Sequence, residues 1–146
     1  SKRGERTIPI EGFFVGPGET VLNPDELLKE VIIPIPEADT KWAYRKIGRR
    51  RAETLSVVAG SISVRLINGK CSRARVGLCA VAPTPILAKK AADLLEGRQL
   101  DTDLMESVAE AAAEETSPID DVRATAWYRR RATRALVKEL LEDLAK

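Results

Sequence analysis

Residues 56–81 read SVVAGSISVRLINGKCSRARVGLCAV. In the first half, Ser56–Ile67, the residues Val58, Ile62, Val64 and Leu66 share one parity. Asn68-Gly69 follows. This dipeptide tolerates positive φ at both positions and so closes a two-residue type I′ turn. The return run, residues 70–81, carries Cys71, Ala74, Val76, Leu78 and Ala80 in an imperfect period of two. Together they predict a long antiparallel hairpin with one apolar face, and that face needs a covering layer.

The cover is legible downstream. After Pro83-Thr84-Pro85, residues 86–95 place Leu87, Ala91, Leu94 and Leu95 at helical spacing, and Glu96-Gly97 supplies a stop. Residues 101–115 predict a second helix with Leu104, Met105, Val108 and Ala112 in period. Thr116-Ser117-Pro118 ends it. Residues 124–144 predict a third, with Tyr128, Ala132, Ala135, Leu136, Leu140 and Leu144 on its buried face. Upstream, residues 42–47 predict one more strand. The expected fold class is α+β, a three-stranded antiparallel sheet packed against a three-helix cluster.

Residues 1–36 have a different texture. Residues 7–14 and 20–22 predict short strands around the breaker cluster Gly16-Pro17-Gly18. Asn23 resembles an N-cap, with Pro24 at the first helical position and Glu26 three residues after the cap. Val31-Ile32-Ile33 is a β-branched run that stops at Pro34. A boundary is expected at residues 34–40, giving a short β-rich tail (1–36) and an α+β domain (37–146).

Composition removes whole classes of chemistry. The 146 residues include no histidine, which excludes Ser-His-Asp and Cys-His catalysis and every His-containing zinc site. Cys71 and Cys79 stand eight apart, too few and too far apart for a zinc cluster, and read as two small buried hydrophobes in a reducing compartment. There is no apolar run of the ~20 residues a membrane span needs. Ser1-Lys2-Arg3-Gly4-Glu5-Arg6 is followed by no apolar h-region, so no signal peptide is read there, and a cytoplasmic location is expected.

The net charge is +2, from 24 basic and 22 acidic residues, but it is polarised. Lys41, Arg45, Lys46, Arg49, Arg50 and Arg51 form one basic cluster; Arg123, Arg129, Arg130, Arg131 and Arg134 form another. Residues 96–121 hold nine acidic residues and only Arg98 as a base. Two readings stand side by side: solvated faces whose acids and bases pair across neighbouring elements, or an anion site for a phosphate-bearing cofactor, a nucleic acid or an acidic partner. Trp127 and Tyr128 read as core and snorkelled cover. Gly16-Pro17-Gly18 lacks the GxGxxG or P-loop spacing and reads as a plain turn. Asp120-Asp121 reads as helix capping rather than a catalytic pair. No catalytic set and no metal ligands are assigned.

Five segments, taken in order, carry a resemblance. They are Phe13-Phe14 with Thr20-Val21-Leu22; Pro24-Asp25-Glu26-Leu27-Leu28 with Ile32-Ile33-Pro34; Tyr44-Arg45-Lys46 with Arg50-Arg51; Arg75-Val76-Gly77-Leu78-Cys79-Ala80-Val81-Ala82-Pro83-Thr84-Pro85 with Ala92 to Leu95 and Gly97; and Pro118-Ile119-Asp120-Asp121-Val122-Arg123-Ala124-Thr125-Ala126-Trp127-Tyr128-Arg129-Arg130. The chain is similar to the flavoprotein (medium) subunit of molybdenum hydroxylases, the family of aerobic carbon monoxide dehydrogenase and xanthine dehydrogenase.

The resemblance implies a C-terminal fragment: residues 1–36 as the tail of an FAD-binding domain, residues 37–146 as the following α+β domain. It implies FAD as cofactor of the full-length subunit, with the fragment inactive alone and without FAD. The molybdenum cofactor and [2Fe–2S] clusters belong to partner subunits, an iron–sulfur subunit and a molybdenum-cofactor subunit. By resemblance Leu28 contacts the flavin, and the Lys46 ammonium lies near the isoalloxazine, where a cation would raise the flavin potential. Relatives often carry an acidic residue at the place of Thr54 and an arginine at that of Leu87. The implied function is electron transfer in an FAD-dependent dehydrogenase, helping to close the flavin site and dock the iron–sulfur subunit. The alternatives are a pure subunit-interaction domain without flavin contacts and a nucleic-acid-binding domain.

Overall fold

The computed structural model describes residues 4–50 and 55–146. Arg51 and Thr54, named above, and the N-terminal Ser1-Lys2-Arg3 lie outside the described residues. The chain divides into two compact units, Ser1–Pro36 and Glu37–Lys146.

In the first unit, β1 (Phe14–Gly16) pairs antiparallel with β2 (Glu19–Thr20) across Pro17-Gly18, with Gly18 at φ +75. The expected strand over 7–14 is reduced to its last residue. Pro9 has no N–H to give a ladder, and Gly12 turns the chain at φ +81. The expected helical start at Asn23 forms one turn: Glu26 N–H donates to the Asn23 carbonyl (2.9 Å), and Glu26 Oε2 accepts from Asn23 N–H (2.7 Å). It goes no further, because a single turn is an unfavourable nucleus and Pro34 and Pro36 forbid a long continuation. Val31-Ile32-Ile33 joins no sheet and is exposed.

The second unit is a four-stranded antiparallel sheet in sequence order, β3 (Thr40–Gly48), β4 (Ser56–Ile67), β5 (Lys70–Cys79) and β6 (Ile86–Leu87). Its helices are α1 (Lys89–Leu95), α2 (Thr102–Glu114) and α3 (Ala126–Ala145). The three-strand expectation is thus corrected by one strand. Ile86–Leu87, read as the start of the first helix, pairs with Leu78 and Gly77 instead. The chain bends through residues 80–84, Pro85 leads straight into the short strand, and the helix begins only at Lys89.

The hairpin forms as its residues dictate. Asn68 (φ 52) and Gly69 (φ 76) both take the positive φ of a type I′ turn. The imperfect period of β5 has a cause. Arg65 pairs with Ser72 but Ser63 with Arg75, so β5 carries an extra residue, and Arg73 stands there at φ 52. That bulge switches the inward parity from Cys71 to Val76 and Leu78.

Helix α3 lies over β4 and β3, α1 over β5, and α2 packs chiefly on the other two helices. Asp101 caps α2 by accepting from Leu104 N–H (2.7 Å), and Thr125 caps α3 through Tyr128 N–H (3.2 Å). The core joins Val58, Ile62, Val64, Val76 and Leu78 to Leu95, Leu104, Val108, Leu136, Leu140 and Leu141. The inward face of α3 differs from the expected one. Tyr128 is 46% exposed and Ala135 is exposed, while Arg129, Thr133 and Val137 are buried.

Candidate functional site

Strand alternation sorts the sheet into two faces. Ala43 and Ile47 of β3 turn toward the helices, with Ile62 and Val58 opposite them on β4. Trp42, Tyr44 and Lys46 therefore stand on the other face, which no helix covers among the described residues. Register extends it into rows: Lys46, Ala59 and Cys79; Tyr44, Ser61, Gly77 and Leu87; Trp42, Ser63 and Arg75. Across from the large side chains of β3 stand small ones, Ala59, Ser61, Ser63 and Gly77. A Cβ on Gly77 would lie 3.2 Å from Ser61 Oγ, so the middle of this face stays flat. Trp42 is 71% exposed, Tyr44 60% exposed, and Lys46 is exposed. Leu87, one of the two departures from the resemblance, lies in the Tyr44 row.

Three other members of the first basic cluster are structural. Lys41 Nζ donates to the Leu144 carbonyl (3.2 Å), and Arg45 pairs with Glu139 (3.0 Å) and Asp143 (2.6 Å) of α3. Arg49 Nη1 donates to the Val122 carbonyl (3.1 Å). Pairing across neighbouring elements accounts for these three. Lys46 differs from Lys41 and Arg45 by parity, which turns it to the open face.

The second cluster separates in the same way. Arg134 and Lys138 pair with Glu106 of α2, and Arg134 also with Glu110 (2.9 Å). Hydrogen bonds from Lys138 and then Arg134 hold the Glu106 carboxyl below its ordinary pKa. Arg129 is 2% exposed and belongs to the interior. Trp127 is not core as expected: it is 66% exposed, with the Arg131 guanidinium 4.9 Å from its ring centroid.

Asp120 and Asp121 act separately. Asp120 accepts from Ala126 N–H at the start of α3, which is the capping role expected of it. Asp121 instead gathers Arg123 and Arg129, with Arg123 Nε at 2.8 Å and Arg129 Nη2 at 2.7 Å. These hydrogen bonds, the Arg123 side chain's foremost, hold its carboxyl far below the usual carboxylate range.

Cys71 is buried but Cys79 is exposed on the open face, correcting the expectation for the second cysteine. Leu28 lies in the first unit, exposed, in a segment with no regular structure. One surface hollow is lined by Ile67, Asn68 and Gly97, at the opposite end of β4 from Lys46. Among the described residues, no group of three potential metal ligands comes together, and no helix is long and apolar enough to cross a membrane.

The family described as CO dehydrogenase flavoprotein C-terminal domain matches residues 42–144. The carbon monoxide dehydrogenase medium chain of Afipia carboxidovorans is 30% identical over 139 residues, covering 95% of this chain and 48% of that protein. The putative xanthine dehydrogenase FAD-binding subunit of Escherichia coli K12 is 29% identical over 144 residues, covering 98% of this chain and 49% of that protein. A chain of the carbon monoxide dehydrogenase of Hydrogenophaga pseudoflava superposes with a TM-score of 0.92 at 31% identity, covering 97% of this chain and 49% of that one. The chain spans about half the length of the curated relatives it matches. With residues 42–144 matched and the sheet-and-helix fold shared, the chain belongs to the CO dehydrogenase flavoprotein C-terminal domain family.

Proposed function

We propose that the chain is part of an FAD-containing electron-transfer subunit of a molybdenum hydroxylase. In this reading residues 1–36 are the tail of the FAD-binding domain and residues 37–146 the domain that follows. The observation that carries it is the position of Lys46, an ammonium presented with Tyr44 and Trp42 on the uncovered sheet face of a domain of this family.

The residues present suit the ring end of such a cofactor. An exposed cation stabilises negative charge on an electron-rich ring, and the small side chains of β4 and β5 leave a flat surface beside it. The pyrophosphate end needs a cradle of backbone N–H groups leading into a helix. Gly16-Pro17-Gly18 turns a short hairpin and leads into none, so the cradle belongs to another part of the full-length subunit. When bound, FAD accepts electrons that arise at metal centres in partner subunits and passes them to an acceptor. The part of residues 37–146 is to hold positive charge at the ring through Lys46. Arg130, Arg131 and Trp127, on the outer surface of α3, dock the iron–sulfur subunit.

The test is Lys46→Ala in the full-length subunit, with the flavin reduction potential followed by spectroelectrochemistry and FAD counted per polypeptide. Loss of the cation lowers the potential or the FAD content. Wild-type values of both would sink the role of Lys46.

A further inference from the structure

Arg129 is the only charged side chain in the interior among the described residues. A guanidinium leaves water at a cost that its hydrogen bonds must offset. Nη1 donates to the carbonyls of Val57 (2.5 Å) and Ala80 (2.8 Å), and Nη2 to Asp121 Oδ1 (2.7 Å). Neither carbonyl belongs to a regular ladder. Ile47 pairs with Val58 but Gly48 with Ser56, so Val57 is an extra residue bulged out of β4. Ala80 follows the last residue of β5 at φ 64.

The Val57 bulge lies directly across from the end of β3. Lys46 pairs with Ala59, two residues from Val57, and Ile47 pairs with Val58. Bulges turn a strand and re-aim the side chains beside them. The same end of the sheet is tied a second time: Arg49 donates to Val122, next to Asp121 in the loop before α3. That loop is itself braced, because Asp121 Oδ1 accepts from the N–H groups of Arg123 (2.8 Å) and Ala124 (3.2 Å).

We propose that Arg129 is a positioning residue for Lys46: by holding the Val57 carbonyl against the Asp121 loop it fixes the β4 bulge, and with it the direction in which Lys46 leaves the sheet. A planar fork holds two donor nitrogens apart, Nη1 for the two carbonyls and Nη2 for the carboxylate, whereas an ammonium donates from a single point. The proposal rests on the reading of Lys46 as a cation at the flavin.

The experiment compares Arg129→Lys, Lys46→Ala and the double variant in the full-length FAD-containing subunit. Two quantities are read: the flavin reduction potential, and amide hydrogen exchange in residues 46–48 and 55–58. Arg129→Lys is expected to lower the potential in the same direction as Lys46→Ala, to add nothing in the Lys46→Ala background, and to speed exchange several-fold in both segments. Asp121→Asn, which removes the charge but keeps an acceptor oxygen, carries the same comparison if Arg129→Lys does not fold. A variant that melts earlier but keeps wild-type potential and exchange overturns the proposal. So does a shift that persists in full in the double variant, since Arg129 would then act on the flavin without Lys46. If Lys46→Ala alone leaves the potential unchanged, the flavin role of Lys46 fails by itself. Exchange then decides the positioning: faster exchange in 46–48 sustains it, and unchanged exchange overturns it.

Discussion

Leu136 of α3 sits directly over Gly60 of β4: a Cβ built on Gly60 would lie 2.8 Å from Leu136 Cδ2 and 3.1 Å from Leu78 Cδ2. The glycine lets the helix approach the sheet more closely than any side chain allows. Overfilling a packed core costs about 1–3 kcal/mol. Gly60→Ala is therefore expected to destabilise the domain by that order, read as an earlier midpoint in denaturant. A midpoint equal to wild type would mean that Leu136 yields without cost.

The carboxylate of Glu26 gives the first unit a pH dependence. Arg6 donates to it through Nε (2.8 Å) and Nη2 (2.7 Å), and Asn23 N–H adds a third bond (2.7 Å). The Arg6 hydrogen bonds first, then that of Asn23, lower its pKa from 4.5 to about 2. A pKa lower in the folded state means stability that is present above the unfolded value and lost as pH falls through the folded one. The Asn23 turn should thus loosen between pH 4.5 and about 2. An NMR titration of the Glu26 side-chain carbon should give a midpoint near the lower figure, and Arg6→Ala should move it up. A midpoint near 4.5 in the wild type would contradict the ion pair.

The two thiols should separate under native conditions. Cys79 is exposed and Cys71 buried, so a thiol reagent should modify one cysteine per chain until the protein unfolds. Partial burial still pushes the Cys79 thiol above its ordinary pKa of 9.0. Since the thiolate is the nucleophile, the labelling rate should keep climbing above pH 9. Cys79→Ser should remove the native-state reaction. Two equally fast thiols would contradict the burial of Cys71.

Three consecutive arginines should behave differently. Arg130 and Arg131 are exposed, and Arg129 is buried. If this surface has the docking role proposed for it, charge reversal at Arg130 and Arg131 together in the full-length subunit should weaken assembly with an iron–sulfur subunit while leaving the melting temperature near wild type. Arg129 must be left in place in this test, because its loss leaves two carbonyls without a donor, at about 1–3 kcal/mol for each that stays buried. Undisturbed assembly after the double reversal would remove this surface from the docking role.

Much of the second unit is legible in the residues themselves. Ser56–Ile67 appears as read, because Asn68-Gly69 leaves its turn little choice and the alternation sets its face. Residues 101–115 differ from α2 only in their end residues, since Asp101 proves to be the cap. The short β6 was not legible. Two residues show no period, and Ile86 and Leu87 fit a helix pattern until the prolines before them are given weight. The first unit is less legible because its β-branched runs match strand composition, whereas a strand exists only where a partner accepts its hydrogen bonds.

Arg129 shows the limit most clearly. It stands among exposed arginines, and its charge argues for the surface. Helical spacing nonetheless places Arg129 in line with Ala132, Leu136 and Val137, so the pattern implies a buried charge and calls for a partner. Asp121 was also on view but read as a cap, because its bonds to Arg123 and Arg129 depend on how the loop before α3 folds back.

By itself, the sequence determined the strand–turn–strand core, the helical layer, the absence of histidine chemistry and the family resemblance. All of these rest on local backbone preference and the alternation of apolar residues. Only the tertiary structure decided which basic residues remain presented at the surface. Parity turns Arg45 to the acids of α3 and Lys46 to the open face, and two carbonyls released by a bulge and a left-handed residue draw Arg129 inside. Neighbours of the same charge thus take different roles, because each role depends on what the rest of the chain brings against them.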